Sequence, residues 1–287
     1  MKRQAVSKRR IPPQARQIVE HPIRLLAVDL DGTLLNDAKR IGSQTVDALA
    51  DLPRRGVKVV IASARPPRSV RHIYAQLGLD TWQINYNGAL IWDEPNKQVI
   101  FHRPMTGQLV RQIIDLARAQ FPDILITCEV LDRWFTDRFE QTYTTETGRL
   151  FKPDVIAPLD QFCVQPITKL LLLGDPEKIT ALEAILAGPH DQQVTIVRTD
   201  PQLLQIMDKH VGKSAALQMI AEHYQVPLIQ VMSIGDAPND VGMLQLAGVA
   251  VAMDNAHDLV KKAAHWIAPS NNQEGVRAAL AHYGLCD

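Results

Sequence analysis

The sequence predicts an α/β fold, a doubly wound Rossmann-like parallel sheet with an α+β domain inserted into it. Near both ends of the chain, short apolar runs with the length of buried strands alternate with segments of helical periodicity. Between Asn87 and about Thr199 the pattern changes to hairpins mixed with helices. A chain of 287 residues is long enough for both parts to have hydrophobic cores.

The overall composition favours no charged macromolecular partner. Lys and Arg number 31, as do Asp and Glu, so no global field would attract nucleic acid or anionic lipid. The apolar runs are too short to span a bilayer, and no signal-peptide pattern follows Met1. Cys128, Cys163 and Cys286 form no CxxC pair, which favours reduced thiols over disulfides or a zinc site. We therefore expect a cytoplasmic protein that binds neither nucleic acid nor membranes.

Residues 1–21 have a composition of their own. They carry six basic side chains, almost no acid and two prolines. This composition predicts a solvated, flexible arm. Nucleic-acid binding or organelle targeting is the alternative interpretation of such a basic tail.

The first predicted strand ends in two carboxylates. Leu25–Val28 is a run of four apolar residues, typical of a buried parallel strand, and DLDGT follows it at 29–33. Residues two apart on a strand point to the same face, so Asp29 and Asp31 would crowd the carboxyl end of the sheet, where α/β sheets bind ligands. Two like charges so close require a cation or a proton. The alternative is that Asp29 only ends the strand before an Asp-Gly turn.

The next elements continue the doubly wound pattern. A helix capped by Ser43 leads to a second buried strand at 57–63. Ser63, at its carboxyl end, is either a helix cap or part of a ligand site. Two prolines then suit the first turn of a helix that extends to Gly78, and a third strand of the same sheet is predicted at 82–86.

The inserted domain begins at Asn87-Gly88. Its predicted elements, in order, are a hairpin over residues 89–102, a helix over 106–120, strands at 124–130 and 134–136, a polar irregular stretch at 137–162, a strand at 167–173, a helix over 175–186 closed by Gly188, and a strand at 193–198. The mixture of hairpins and helices is typical of an α+β domain.

The last third of the chain returns to alternating strands and helices. After a strand at 203–208, Lys213 lies in the first turn of a helix, where the dipole disfavours a cation unless an anion binds nearby. The alternative is an exposed lysine. A strand ending at Gly235 then leads into Asp236, Asn239 and Asp240, which otherwise would be ordinary helix caps. A strand at 248–253, a helix at 257–264, a strand at 266–268 and a helix at 272–282 complete the chain.

Three buried strands would thus bring polar groups to one edge of one sheet. The set comprises Asp29, Asp31, Ser63, Asp236, Asn239 and Asp240, with Lys213 from a neighbouring helix. Magnesium prefers carboxylates, water and a phosphate oxygen, whereas the His or Cys ligands of zinc are missing here. Phosphoryl transfer needs a nucleophile, a cation, donors to the phosphoryl oxygens and an acid for the leaving oxygen. The set has a candidate for each role.

These motifs resemble the haloacid dehalogenase-like (HAD) hydrolase superfamily, specifically its Cof-type phosphatases with a large α/β cap. The matching segments are DLDGTLL at 29–35, IASAR at 61–65, the lysine of GKSAAL at 213, GDAPND at 235–240, NGA at 87–89, MDNA at 253–256 and EGV at 274–276. The resemblance covers residues 23–281. One departure is Ala64, because the second motif of the family usually reads Thr-Gly-Arg.

The resemblance implies a catalytic core of residues 22–86 and 200–287 and a cap of residues 87–199. It implies that Asp29 attacks phosphorus to form an aspartyl-phosphate, and that Asp31 protonates the leaving oxygen and then activates water. The Mg²⁺ ligands would be the carboxylates of Asp29 and Asp236 and the backbone carbonyl of Asp31. Asp240 would either bind the ion directly or support one of these ligands. Phosphoryl oxygens would be held by Ser63 and Lys213 with help from Asn239, and Gly32 would allow the sharp turn.

The implied function is Mg²⁺-dependent hydrolysis of a small phosphorylated metabolite, a sugar phosphate or a phosphorylated cofactor, beneath a mobile cap. Candidate substrate contacts in the cap are Arg103, Arg133, Trp134, Lys169 and Arg198. Two alternatives stay open: a phosphomutase or sugar-phosphate transferase, and a non-catalytic phosphate-binding or regulatory protein. The DxD spacing and the inserted domain argue against a receiver-like phospho-switch. The physiological substrate and the oligomeric state are not predicted.

Overall fold

The structure, a computed structural model, describes residues 21–140, 142–143, 145–190 and 192–286. The basic arm predicted for residues 1–21 lies outside these residues apart from His21. The fold divides into two compact units: the first ends at Ile61 and resumes at Leu217, and the second is Ala62–Ala216. The limits predicted for core and cap, at residues 87 and 199, differ from these boundaries and stay a prediction.

Strands and helices alternate as follows. The strands are β1 (Leu25–Val28), β2 (Lys58–Ile61), β3 (Trp82–Asn85), β4 (Leu90–Asp93), β5 (Gln98–His102), β6 (Leu125–Val130), β7 (Arg133–Thr136), β8 (Val155–Ile156), β9 (Lys169–Leu173), β10 (Val194–Asp200), β11 (Leu203–Asp208), β12 (Val231–Gly235), β13 (Val249–Met253) and β14 (Trp266–Ala268). The helices are α1 (Ser43–Asp51), α2 (Pro67–Leu77), α3 (Gly107–Gln120), α4 (Glu146–Leu150), α5 (Pro176–His190), α6 (Lys213–His223), α7 (Val241–Leu246), α8 (Asp258–Ala263) and α9 (Gly275–His282).

The first unit is built on a five-stranded parallel sheet in the order β14-β13-β12-β1-β2. All four residues of β1 are buried, as expected for a strand of a parallel sheet with both faces covered. Strand β1 pairs in parallel with β12 and with β2, so that Val28 lies opposite Ile234 on one side and Ile61 on the other. The predicted α/β fold with a parallel sheet is confirmed.

The start of α1 differs from the prediction. Ser43 is the first helical residue and does not cap the helix, because the N-cap position is Gly42. The capping acceptor comes instead from Glu274, whose carboxylate accepts the Thr45 backbone N–H at 3.1 Å. A side chain at position 42 would collide with that carboxylate, since a Cβ there would lie 1.8 Å from Glu274 Oε1.

The second unit contains two further sheets, a six-stranded one in the order β10-β11-β9-β6-β7-β8 and a three-stranded one in the order β3-β4-β5. The strand predicted at 82–86 was assigned to the parallel sheet, which is wrong. Strand β3 pairs antiparallel with β4, and Ile84 makes only an isolated parallel bridge to Ala62. The reason is the turn after it, where Tyr86, Asn87 and Gly88 all have positive φ (49°, 56° and 99°) and reverse the chain.

Two helices of the second unit, α3 and α5, pack on the six-stranded sheet. Fully buried residues of α3, β6, β9 and α5 share one hydrophobic core, among them Ile113, Ile126, Leu172 and Ile179. The predicted start of α3 is confirmed, because the Thr106 hydroxyl accepts the Leu109 N–H. Two predictions were wrong: α5 continues through Gly188 to His190, and the stretch at 137–162 includes α4 and β8. In the part of the chain that the structure describes, no helix is long and apolar enough to span a membrane.

Candidate active site

Three carboxylates meet at the carboxyl end of the parallel sheet in the first unit. Asp29 follows β1, and Asp236 follows β12 with Asp240 one turn later. Carboxylate oxygens of all three lie within 4.8 Å of one another. They meet because β1 and β12 are neighbours, and the Asp29 N–H donates to the Ile234 carbonyl at 3.0 Å. The structure therefore brings together three of the acids singled out in the sequence.

This arrangement could hold a metal ion. Asp29 is only 6% exposed and Asp240 is fully buried, so water cannot screen the repulsion among their charges well. A divalent cation would offset that repulsion. The donors are carboxylate oxygens alone, which suits Mg²⁺ better than zinc. When bound, Mg²⁺ would draw negative charge away from a phosphoryl group and orient it.

Asp240 also has a structural role at this site. Its Oδ2 accepts the backbone N–H groups of Asp236 and Ala237, each at 3.0 Å. These bonds close the turn that carries Asp236, as a helix cap would. The cap alternative for Asp240 thus holds together with its place in the acidic cluster. Whether it binds the metal directly stays a prediction.

Two residues of the DLDGT segment shape the carboxylate of Asp236. Thr33 Oγ1 donates to Asp236 Oδ1 at 2.6 Å. Gly32 has φ +82° and lies so close that a Cβ on it would be 2.4 Å from Asp236 Oδ2. Gly32 therefore serves both the turn and the space for a carboxylate. No role for Thr33 was predicted from the sequence. A hydroxyl side chain directly after the turn at Gly32 was the feature that could have indicated one.

We expect Thr33→Val to weaken Mg²⁺ binding about tenfold, because outer partners of metal ligands commonly contribute this much. Valine keeps the shape of the side chain but removes the donor that orients Asp236. Thr33→Ser is the matched control, since it keeps the hydroxyl. Titration with Mg²⁺ by calorimetry checks the result, and equal affinities for the two variants would contradict it.

Asp31, the predicted acid and base, is more accessible than the three clustered acids. Its side chain is 37% exposed and forms an ion pair with Lys39 Nζ at 2.9 Å. An accessible carboxyl group two residues after Asp29 suits proton exchange with a substrate or with water. Its backbone carbonyl as a metal ligand stays a prediction.

The loop around Asp31 is tied to the MDNA segment. Asn255 Nδ2 donates to the Gly32 carbonyl at 2.8 Å, and Asn255 Oδ1 accepts the Asn271 N–H at 3.0 Å. Asn271 Nδ2 in turn donates to the Leu35 carbonyl at 3.0 Å. These bonds give MDNA a function that the resemblance did not supply: it fixes the loop after Asp29.

The predicted phosphate-binding residues are distributed over both units. Ser63, 1% exposed, lies in the second unit, where its Oγ accepts the Arg65 N–H at 3.1 Å. Lys213, the first residue of α6, is 1% exposed, so the alternative of an exposed lysine is wrong. Asn239 is half-buried in the turn Pro238–Asp240 of the first unit. The roles of these three residues toward a phosphoryl group stay predictions.

The five candidate substrate contacts of the inserted domain have different environments. Arg198 pairs with Glu183 at 3.2 Å and donates to the Pro201 carbonyl at 2.9 Å, so its charge already has protein partners. Trp134 and Lys169 are buried, whereas Arg103 and Arg133 are exposed. Sequence reasoning missed Glu129, which is 3% exposed on β6 and accepts hydrogen bonds from Arg68 and Tyr86.

Comparison with known proteins agrees with this geometry. The family model of haloacid dehalogenase-like hydrolases matches residues 26–280. The chain is 28% identical over 269 residues to the 5-amino-6-(5-phospho-D-ribitylamino)uracil phosphatase YitU of Bacillus subtilis (strain 168), covering 90% of this chain and 97% of that one.

Two solved structures share the fold. A haloacid dehalogenase-like hydrolase from Bacteroides thetaiotaomicron is 27% identical with a TM-score of 0.82, over 91% of this chain and 99% of that chain. The HAD subclass IIB sugar phosphatase BT4131 is 22% identical with a TM-score of 0.75, over 92% and 100%. The chain therefore belongs to the haloacid dehalogenase-like hydrolases and is a phosphatase.

Proposed function

We propose that this phosphatase hydrolyses a small phosphate monoester with Mg²⁺, through an aspartyl-phosphate on Asp29. The observation that carries the proposal is the cluster of Asp29, Asp236 and Asp240, with carboxylate oxygens within 4.8 Å at the end of a parallel sheet. A carboxylate in such a cluster can attack phosphorus only if a cation offsets the approach of two anions. Asp236 and Asp240 supply negative charge to hold that cation beside Asp29.

Asp31 acts in both halves of the reaction. It protonates the leaving oxygen when Asp29 forms a bond to phosphorus, and it later takes a proton from the water that cleaves the aspartyl-phosphate. Its partial exposure supports this role, because a carboxyl group at the surface can exchange protons with solvent. The products are inorganic phosphate, the free alcohol and regenerated Asp29.

Ser63 and Lys213 hold the phosphoryl oxygens, with help from Asn239. Both Ser63 and Lys213 are 1% exposed, and a buried ammonium attracts an anion strongly because little water screens the charges. Its position in the first turn of α6 also fits an anion, because the N-terminus of a helix favours negative charge.

The substrate class we propose is a sugar phosphate or a phosphorylated cofactor or cofactor precursor. YitU, by its name, acts on a phosphorylated ribitylaminouracil, and it matches 90% of this chain. The cytoplasmic location and a small-molecule partner stay part of this proposal.

The test is phosphate release from sugar phosphates, nucleotides, pyridoxal phosphate, a ribitylaminouracil phosphate and an aryl phosphate, each with Mg²⁺ or with a chelator. We expect release that requires Mg²⁺ and is fastest for one of the first substrate classes. Release that persists in chelator would overturn the metal-dependent mechanism. Phosphate that appears on a second sugar hydroxyl instead of in solution would identify a mutase, and Mg²⁺ binding without any turnover would favour a non-catalytic protein.

A further inference from the structure

A buried ionic cluster in the second unit surrounds Glu129. The Arg68 guanidinium donates to both of its carboxylate oxygens, at 2.7 and 2.8 Å, and the Tyr86 hydroxyl donates to one of them at 3.0 Å. Lys169 lies on the neighbouring strand β9, where it is opposite Glu129 in the register of the sheet. Glu129 and Lys169 are 3% and 6% exposed. Residues of α2, β6, β9 and the turn after β3 therefore form an ionic cluster with little access to water.

Lys169 connects this cluster to the turn that carries Ser63. Its Nζ donates to the Ala64 carbonyl at 3.1 Å and to Gln205 Oε1 at 3.3 Å. Ala64 is the central residue of Ser63-Ala64-Arg65, and the Ser63 hydroxyl accepts the Arg65 N–H within the same turn. The ammonium thus holds the backbone between the two residues of the motif.

Burial disfavours the charged form of Lys169. Burial lowers the pKa of Lys169 to about 8, although the Glu129 carboxylate favours its charged form. Burial likewise raises the pKa of Glu129 against the opposite effect of Arg68 and Lys169. Buried ion pairs are generally no more stabilising than well-packed apolar residues of the same size. Stability alone therefore does not account for a lysine aimed at this carbonyl.

We propose that Lys169 is a positioning residue, which fixes the Ser63 turn for phosphate and adds a positive charge beside it. The inference rests on the proposed function, because it assumes that Ser63 holds a phosphoryl oxygen. Glu129, held by Arg68 and Tyr86, keeps the ammonium charged and directed at Ala64.

The test compares wild type with Lys169→Met, using calorimetric titration of inorganic phosphate in the presence of Mg²⁺. We expect about tenfold weaker phosphate binding in the variant, as for loss of one hydrogen bond to a charged group. Lys209→Met is the matched control, because Lys209 is an exposed lysine at the end of β11. KM for the best substrate of the panel should rise with the phosphate dissociation constant, whereas kcat should fall less.

The pH dependence separates positioning from mere packing. Lys169 lies opposite Glu129 of β6, and its Nζ is 5.0 Å from the centroid of the Tyr86 ring. Glu129 favours its charge, Arg68 of α2 disfavours it, and Lys169 is charged below its pKa of about 8. The ratio of wild-type to Lys169→Met phosphate affinity should therefore fall as the pH rises from about 7.5 to 9.5. Ionisation of the phosphate itself affects both proteins equally and cancels in this ratio.

Because the single variant removes one of the two cations that act on Glu129, a second pair of variants keeps the test decisive if Lys169→Met does not fold. Lys169→Met with Glu129→Gln removes both charges and is compared with Glu129→Gln alone. Equal phosphate affinity and equal pH dependence of variant and control would overturn the inference while leaving the phosphatase function intact. A wild type that binds phosphate but hydrolyses no substrate would contradict the proposed reaction. The phosphate affinities of wild type and Lys169→Met would still decide the role of Lys169. A wild type that binds no phosphate would overturn both.

Discussion

Asp29→Asn should reduce phosphate release by at least about 10⁴-fold, because removal of a catalytic nucleophile alone can cost about 10⁶-fold in kcat. The amide keeps the size of the side chain and one oxygen that can face a metal, but it cannot attack phosphorus. The fold should be unaffected, since the Asp29 backbone N–H still bonds to the Ile234 carbonyl. Phosphate release from the best substrate of the panel measures the effect.

Asp47→Asn is the matched control for this substitution. The control substitution makes the same chemical change at an exposed position of α1, and it should leave activity unchanged. Acid quenching of wild type with labelled substrate should trap a phosphorylated protein, and base should then release the labelled phosphate from it. The same treatment of Asp29→Asn should trap no phosphorylated protein. A variant that retains more than about 1% of wild-type turnover would place the nucleophile elsewhere.

Most strands could be predicted from local patterns, because the side chains of a buried strand are apolar whichever strand pairs with it. The apolar run Leu25–Val28 is the clearest case, with all four side chains buried in β1. The partner of a strand depends on distant residues. The residues 82–86 look like a strand of the parallel sheet, yet three consecutive positive φ values at 86–88 turn the chain back into a hairpin. Likewise Gly188 resembles a helix end, but α5 continues through it to His190.

Asp29 and Asp236 could be predicted because each lies at the end of an apolar strand. Asp29 and Asp236 meet as a consequence of the pairing between β1 and β12, which strand order in a doubly wound sheet makes plausible from sequence. Their supporting contacts could not be predicted in this way. Thr33 and Asp236 are 203 residues apart in sequence, and Asn255 reaches Gly32 across a similar separation. Such contacts follow from the complete packing of the unit, which no local pattern encodes.

Gly32→Ala should lower both Mg²⁺ affinity and phosphate release by about 100-fold, the upper end of what partners of metal ligands contribute. The added Cβ would lie 2.4 Å from Asp236 Oδ2, so the carboxylate must move. It has little freedom to do so, because Thr33 Oγ1 holds its other oxygen at 2.6 Å. The displaced ligand, and not a loss of fold, should cause the defect.

Gly56→Ala isolates that cause. Gly56 has φ +78°, almost the same as the +82° of Gly32, but a Cβ on it would meet nothing within 4 Å. Both variants therefore pay the strain of a left-handed alanine, about 1 kcal/mol in the free energy of unfolding. Only Gly32→Ala also moves a carboxylate of the acidic cluster. Urea unfolding and Mg²⁺ titration of both proteins separate the two effects: similar losses of stability with a metal defect at Gly32 alone are expected. If Gly56→Ala lost Mg²⁺ affinity equally, strain would account for the defect and the close approach of Gly32 to Asp236 would have no functional role.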